Sequence, residues 1–246
     1  MEKKIRLTRL YLPIDEIPDE FLITGTNAHY LRNVVRIPTG GEIETFDGQG
    51  TRCRWEIIEI ISKSIKVRHI RSETIPRKSP LKLTLGLNPL KGGGEEIAVR
   101  IAASMDVFSL VPVIFTRSEI PNDLTALEKR IDRWKKWCAN EVALSGGAYI
   151  PEIAPPVNFA DLSQKDSIVV LFYEDAETEK SELEFEADSE VCALVGPEGG
   201  VEHGEVESAL KKGFRIGSLG PWTMRAEYAG AMVPFAIFSK VKSNAI

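Results

Sequence analysis

Two glycine-rich loops near the carboxyl end of the chain hold the residues that could do chemistry. The first reads Gly-Pro-Glu-Gly-Gly over residues 196–200 and follows the apolar run 191–195. The second spans residues 218–224, follows another short apolar run, and leads into Arg225 and Glu227. Glycine lets a loop adopt positive φ or bring its backbone close to a ligand. Loops that follow strands of an open α/β sheet lie at the carboxyl ends of those strands, where such folds bind ligands.

The residues around these loops argue against two common nucleotide-binding patterns. A phosphate-binding loop closes its glycine run with Lys and then Ser or Thr, and neither follows Gly200. The carboxylate of Glu198 would also repel a phosphate. No Gly-x-Gly-x-x-Gly pattern follows a strand. The loops therefore favour a ligand that is neutral or cationic near the protein and is held by backbone groups. The alternative is that the glycines serve only the geometry of strand–helix turns.

The same loops resemble a known family. Leu-Val-Gly-Pro-Glu-Gly-Gly (194–200), Ser-Leu-Gly-Pro (218–221) and Met-Arg-Ala-Glu (224–227) resemble the small-subunit rRNA uridine-N3 methyltransferases, which belong to the SPOUT class of knotted S-adenosylmethionine enzymes. Four upstream segments also fit the family, so the resemblance covers nearly the whole chain. These segments are residues 6–11, 29–36, 46–48 and 149–153.

The resemblance implies the cofactor, the substrate and the assembly. It implies methyl transfer from S-adenosylmethionine to N3 of a uridine in 16S rRNA of the small ribosomal subunit, by a homodimer with a C-terminal trefoil knot. It places the methyl donor against backbone groups of the two loops and of the strand end near residues 171–173. The donor-binding residues implied are Leu171, Tyr173, Gly196, Pro197, Gly199, Gly200, Ser218, Leu219, Gly220 and Met224.

Methylation at N3 sets two chemical requirements. N3 lies on the Watson–Crick edge, so the uracil must be unpaired or flipped out to reach the donor. N3 also carries a proton that must leave, and a positioned base together with a cation near the uracil oxygens would assist. Arg225 suits the cationic role because its guanidinium is always charged and planar. Glu227 is the candidate base, or a group that orients Arg225. The alternative for this pair is an ordinary ion pair at a helix start.

Charge is distributed unevenly along the chain, whose net charge is −5. Residues 1–82 contain 15 Lys and Arg against 11 Asp and Glu, whereas residues 83–246 contain 16 against 25. This asymmetry favours nucleic acid contact with the N-terminal part. The candidate RNA contacts are Arg6, Arg9, His29, Arg32 and Arg36.

The pattern of apolar residues changes near residue 78. Residues 1–78 contain short β-branched segments separated by glycine turns, which predict a small β-barrel; the resemblance makes it a PUA-like RNA-binding domain. Asn27–Val35 reads as one short helix with Asn27 as its cap. Residues 79–246 alternate strands with helices, which predicts an α/β domain with a mostly parallel sheet. By resemblance this is the SPOUT methyltransferase domain.

Scattered histidines and cysteines argue against a metal site and a disulfide framework. His29, His69 and His203 show no partner pattern, and the three cysteines are isolated. The longest apolar runs are too short to span a bilayer. The chain shows no hydrophobic core of a signal peptide. We therefore predict a cytoplasmic protein without a metal and without a membrane partner.

Two segments depart from the family pattern on the expected substrate side. Ser104-Met105-Asp106 stands where the family commonly has Glu-Leu-Gly, and residues 143–147 stand where it has Glu-Gln-Ser-Gly-Arg. Two alternatives to uridine-N3 methylation therefore stay open: a methyltransferase for another RNA position, and a non-catalytic RNA-binding paralogue. Donor binding without turnover would identify the second.

Overall fold

A computed structural model describes residues 7–14, 16–119, 124–164, 167–174 and 182–242. The chain divides into two compact units, one formed by residues 1–77 with 142–150 and the other by residues 78–141 with 151–246. The domain limits 1–78 and 79–246 stay a prediction. The sequence did not indicate that residues 142–150, far along the chain, join the first unit.

Five strands form a mixed sheet in the first unit. The sheet order is β1-β3-β4-β5-β2, in which β1 and β3 are parallel and the other pairs are antiparallel. Alternate residues of β4 are buried, among them Trp55 and Ile57, because successive strand side chains point to opposite faces. The strands are β1 (Thr8–Tyr11), β2 (Glu20–Ile23), β3 (Glu42–Phe46), β4 (Thr51–Ile60) and β5 (Ile65–Thr74).

One short helix covers this sheet, and its predicted start is wrong. Helix α1 (Gly25–His29) begins before Asn27, has Thr24 at its N-cap position without a side-chain cap hydrogen bond, and continues into a π-helical turn, Tyr30–Val35. Fully buried Leu31 packs in the same core as Trp55, so tertiary burial rather than a polar cap fixes this helix.

Residues 142–150 join the first unit through long-range hydrogen bonds. Arg52 Nη2 donates to the carbonyl of Gly146 at 2.9 Å. The Ile150 N–H donates to Gly48 at 2.9 Å, and the Gly50 N–H donates to Ala148 at 3.1 Å. These bonds satisfy backbone groups that the strands leave open.

The second unit contains the predicted parallel sheet. Every strand pair of its described residues is parallel, in the order β12-β10-β11-β6-β7-β8, with β9 also paired to β7. The prediction of a mostly parallel α/β sheet is therefore confirmed. The strands are β6 (Lys82–Leu87), β7 (Ser109–Ile114), β8 (Glu152–Ile153), β9 (Val157–Asn158), β10 (Ile168–Phe172), β11 (Glu190–Val195) and β12 (Arg215–Gly217).

The described residues of the second unit also form the helices α2 (Glu96–Ser104), α3 (Leu124–Ser145), α4 (His203–Lys211) and α5 (Ala226–Phe238). Residues 142–145, the last of α3, belong to the first unit. Helix α4 begins with a capping box in which Glu202 and Glu205 satisfy each other's backbone N–H groups. It ends before Gly213, whose φ of 81° fits the left-handed position after a helix. Helix α5 continues through Pro234.

Candidate active site

The carboxyl ends of four neighbouring strands surround a pocket of about 470 Å³. Strands β10, β11 and β12 end at Phe172, Val195 and Gly217, and β6 ends at Leu87. Because adjacent parallel strands end at the same edge of the sheet, the loops that follow them converge there. The lining residues are Lys91, Gly94, Phe172, Tyr173, Glu174, Val195, Gly196, Pro197, Glu198, Gly200, Val201, Leu219, Gly220, Trp222, Thr223, Met224, Arg225, Ala226, Glu227 and Ala229.

The first glycine loop has two positions at which a side chain would be strained or crowded. A Cβ on Gly196 would overlap Cγ2 of Val201, and one on Gly200, where φ is 75°, would lie 2.8 Å from Oε1 of Glu174. Arg117 Nη1 donates to the Gly199 carbonyl at 3.0 Å. The Lys91 N–H donates to Glu198 Oε1 at 2.9 Å. The loop is therefore held by neighbouring chain segments in a shape that keeps its backbone at the pocket.

The second loop is held by hydrogen bonds between its own residues. The Gly220 N–H donates to Ser218 Oγ at 3.1 Å, and that hydroxyl lies 3.2 Å from the Gly220 carbonyl. Gly220 has a φ of 112°, which residues with a side chain rarely adopt. The ring of Trp222 lies against Gly220. The loop needs glycine at this position both for its backbone conformation and for the approach of the indole.

Arg225 and Glu227 meet at the start of α5. Arg225 is the N-cap residue, and Glu227 lies in the first turn. Arg225 Nη1 is 3.7 Å from Glu227 Oε1, a separation too long for a strong hydrogen bond. The Arg225 side chain is 77% exposed and that of Glu227 19%. Both line the pocket, so the guanidinium can contact a ligand without first breaking a tight ion pair.

The structure brings most of the predicted donor-binding residues together. Those that line the pocket are Tyr173, Gly196, Pro197, Gly200, Leu219, Gly220 and Met224. Three do not line it. Leu171 is fully buried in the core of β10; Gly199 receives the Arg117 hydrogen bond; and Ser218 braces its own loop. We infer that these three shape the walls, and their direct contact with a donor stays a prediction.

Two charged lining residues, Lys91 and Glu174, lie outside the motifs. Together with Glu198, Arg225 and Glu227 they give the pocket two cations and three carboxylates. Lys91 and Glu174 each follow a strand of the parallel sheet at its carboxyl end. That placement is the signal that could have found them.

Buried Glu95 holds the loop that carries Lys91. Its side chain is 1% exposed. Glu95 Oε1 lies 3.1 Å from Arg130 Nη1 and accepts from Trp134 Nε1 at 3.2 Å, while Oε2 accepts from the Leu90 N–H at 3.1 Å. A buried carboxylate needs this set of partners, because an unpaired charge there would cost several kcal/mol. The network connects this pocket wall to α3.

In the N-terminal unit, the predicted RNA contacts lie in different surroundings. Arg6 lies outside the described residues. Arg9 Nε pairs with Glu44 Oε1 at 2.6 Å, and the same oxygen lies 3.2 Å from Arg52 Nε, so two guanidinium groups share one carboxylate. The backbone of Arg36 is left-handed at the end of the π-helical turn. His29 and Arg32 line a second pocket, of about 320 Å³, that also includes Lys63. RNA binding by the five predicted residues stays a prediction.

Cysteines contribute no reactive group to the pocket. Burial raises the pKa of Cys138 and of Cys192 to about 12, so both are thiols at neutral pH. Within the described ranges, no three His, Cys, Asp or Glu side chains cluster closely enough to hold a metal ion. In the same part of the chain, no helix is long and apolar enough to cross a membrane.

Comparison with known proteins decides the family. Residues 77–237 match the model of the RNA methyltransferase domain, which is more than half of the chain. This chain belongs to the RNA methyltransferase family. The matched range contains the parallel sheet, both glycine loops and the Arg225–Glu227 pair.

Relatives of this RNA methyltransferase confirm the narrower resemblance. This chain is 25% identical over 227 residues to ribosomal RNA small subunit methyltransferase E of Bacillus subtilis, and the alignment covers 88% of each chain. It is 34% identical over 134 residues to the protein of the same name from Aquifex aeolicus, covering 53% of this chain and 56% of the relative.

Solved structures share the fold of this family member. A Legionella pneumophila protein in complex with S-adenosylmethionine has a TM-score of 0.86 at 22% identity, covering 96% of this chain and 99% of that chain. Ribosomal RNA small subunit methyltransferase E of Neisseria gonorrhoeae, bound to S-adenosylmethionine, has a TM-score of 0.83 at 21% identity, covering 95% and 97%. These likenesses confirm the predicted fold class.

Proposed function

We propose that this protein transfers a methyl group from S-adenosylmethionine to N3 of a uridine in the 16S rRNA of the small ribosomal subunit. The observation that carries the proposal is the pocket at the strand ends, where two glycine loops meet Arg225 and Glu227. Membership of the RNA methyltransferase family and the names of the relatives support the substrate class. The N3 position comes from the motif resemblance.

The pocket suits S-adenosylmethionine in size and charge. Its volume of about 470 Å³ lies within the range of small-molecule sites. The donor carries a sulfonium and an ammonium against one carboxylate, and the lining carries three carboxylates against two cations. The missing side chains at Gly196 and Gly200 let backbone groups reach a ligand. The residues present therefore fit the donor.

Arg225 and Glu227 act on the acceptor base. When bound, S-adenosylmethionine supplies an electrophilic methyl group, whose bond to sulfur breaks, leaving its electron pair on sulfur, as uracil N3 forms the new bond. We assign to Glu227, mostly buried beside the pocket, the role of taking the N3 proton. Arg225 stabilises the negative charge that spreads onto the uracil oxygens as that proton leaves.

A direct assay tests the proposal. Purified protein is incubated with S-adenosylmethionine labelled in its methyl group and with small subunits from cells that lack this chain. Label in 16S rRNA, recovered as 3-methyluridine without added metal, is the expected result. Tight donor binding with no label in any RNA would instead favour the non-catalytic paralogue.

The basic pocket of the N-terminal unit contacts the RNA backbone. His29, Arg32 and Lys63 line it, and within the described residues neither Arg32 nor Lys63 makes an ion pair. Unpaired cations on one surface are the usual contacts for phosphates. This assignment extends the predicted RNA contacts by Lys63.

Replacing Arg32 and Lys63 together by alanine is expected to weaken RNA binding and flatten its dependence on salt. Each lost phosphate contact lowers the slope of log affinity against log salt by about 0.7–0.9. Filter binding over a salt series measures the slope. Lys66→Ala is the matched control, because the Lys66 ammonium already pairs with Glu20 at 2.7 Å. A slope unchanged in the double variant would remove this pocket from the RNA surface.

The protein assembles as a homodimer through an exposed face of α5. Tyr228, Met232 and Phe235 are large, exposed and spaced for one face of the helix, while Val233 and Ile237 are fully buried behind them. An exposed apolar stripe of this kind is typical of a subunit contact.

Phe235→Glu is expected to convert the dimer to a monomer, because a charge at the centre of an apolar contact would have to be desolvated. Size-exclusion chromatography with light scattering measures the mass. Leu210→Glu, at an exposed position of α4, is the control that should keep the dimer. A wild-type chain that elutes as a monomer at all concentrations would contradict the proposed assembly.

The place of action follows from the substrate. Since the proposed substrate is ribosomal RNA of the small subunit, we place the protein in the cytoplasm.

A further inference from the structure

Trp222 has the highest fractional exposure, 68%, among the large hydrophobic side chains of the described residues. Exposure of a single apolar side chain is common and carries no conclusion alone. Its location adds a second observation, because Trp222 lines the same pocket as Arg225 and Glu227. An open aromatic ring therefore stands beside the pair that we assign to the acceptor base.

The backbone beneath the indole is shaped to receive it. A Cβ added to Gly220 would lie 2.8 Å from Cζ3 and 2.9 Å from Cε3 of Trp222. The ring thus rests on a glycine that also needs its unusual φ of 112°. Within the described residues, the indole N–H makes no hydrogen bond. The loop holds the ring at the pocket without burying it.

We infer that Trp222 stacks on the flat face of the target uracil, the unpaired base that is methylated at N3. This inference rests on the proposed function. A base on its way to methylation at N3 has left its own stack and pairing partner. Unstacked RNA bases are commonly received by aromatic side chains. The exposed position of the ring favours the incoming base over the donor, which we assign to the pocket interior.

This assignment divides the work at the site between two kinds of contact. Trp222 stacks on the face of the base, while Arg225 and Glu227 contact its polar edge. Stacking tolerates any base, because every base has a π-face. Trp222 is therefore a positioning residue, and the edge contacts select uracil.

Trp222→Ala and Trp222→Phe test the inference together. Alanine is expected to raise the KM for small subunits on the order of ten-fold or more, whereas phenylalanine retains most of the affinity because it keeps a stacking ring. The affinity for S-adenosylhomocysteine, measured by calorimetry, should be unchanged in both. Leu210→Ala, outside the pocket, is the control for an exposed apolar residue.

A fluorescence measurement keeps the test independent of turnover. Trp55 and Trp134 are fully buried, whereas Trp137 is partly exposed. Only the quenching by oligouridylate that wild-type protein shows and Trp222→Phe lacks therefore reports on Trp222. Quenching without methyl transfer by the wild type would overturn the proposed reaction and support the stacking. Absence of quenching in the wild type, or an unchanged KM in Trp222→Ala, would overturn the inference. So would a loss of donor affinity or a change of oligomeric state in Trp222→Ala.

Discussion

Replacing Arg225 by lysine is expected to lower methyl transfer by roughly 10²-fold or more, by analogy with the loss of an oxyanion donor. Lysine keeps the positive charge but loses the planar fork that can contact a uracil oxygen and Glu227 together. Because the Arg225 side chain is 77% exposed and only loosely paired at 3.7 Å, its removal leaves little structure unsupported. Donor affinity and melting temperature should therefore change little.

Single-turnover methylation beside a thermal melt separates catalysis from structure. If Arg225 served only as an ion pair at the helix start, the exchange would cost about 1 kcal/mol or less and leave turnover nearly intact. Arg215→Lys is the matched control, since Arg215 lies on β12 and does not line the pocket. Full activity of Arg225→Lys with a lowered melting temperature would assign Arg225 to structure.

Gly220→Val is expected to remove most donor binding while the protein stays folded. A β-branched residue at a φ of 112° is strained, and its Cβ would also meet the Trp222 ring. Strain of roughly 1–3 kcal/mol is relieved only if the loop rearranges, which corresponds to about a 10- to 100-fold loss of affinity. Calorimetry with S-adenosylhomocysteine measures the loss.

Gly204 offers the matched control for this substitution. It lies in the first turn of α4, without a positive φ, and an added Cβ would meet nothing within 4 Å. Gly204→Val should bind the donor as the wild type does. Equal donor affinity in Gly220→Val and the wild type would show that the second loop is not a wall of the donor site.

The glycine loops could be predicted from the sequence because the conformation of each loop depends on residues that are close together in the chain. Each follows an apolar run, and the conformations required at Gly200 and Gly220 are ones that other residues rarely adopt. The parallel sheet could also be predicted, because uniformly apolar strands that alternate with helices are typical of a sheet buried on both faces. The order of the strands was not readable. Strand β10 lies between β11 and β12, and that order depends on long-range pairing.

Charges were the least predictable part of the site. Arg9 has the charge of a phosphate contact, but its register partner on β3 is Glu44, whose carboxylate pairs with it. Lys91 and Glu174 belong to no motif, and only the convergence of strand ends shows that they share a pocket. Residues 142–150 join the first unit through hydrogen bonds such as Arg52–Gly146 and Ile150–Gly48, whose partners are far apart in sequence. Contacts of this kind leave no local pattern.

Mass spectrometry of nucleosides from 16S rRNA tests the central claim most directly. Small subunits are compared from cells with the gene, cells without it, and cells without it that express either the wild type or Arg225→Lys. We expect 3-methyluridine to disappear on deletion, to return with the wild type, and to return poorly with Arg225→Lys. Identical nucleoside profiles with and without the gene, or loss of a different methylated nucleoside, would contradict uridine-N3 methylation by this protein.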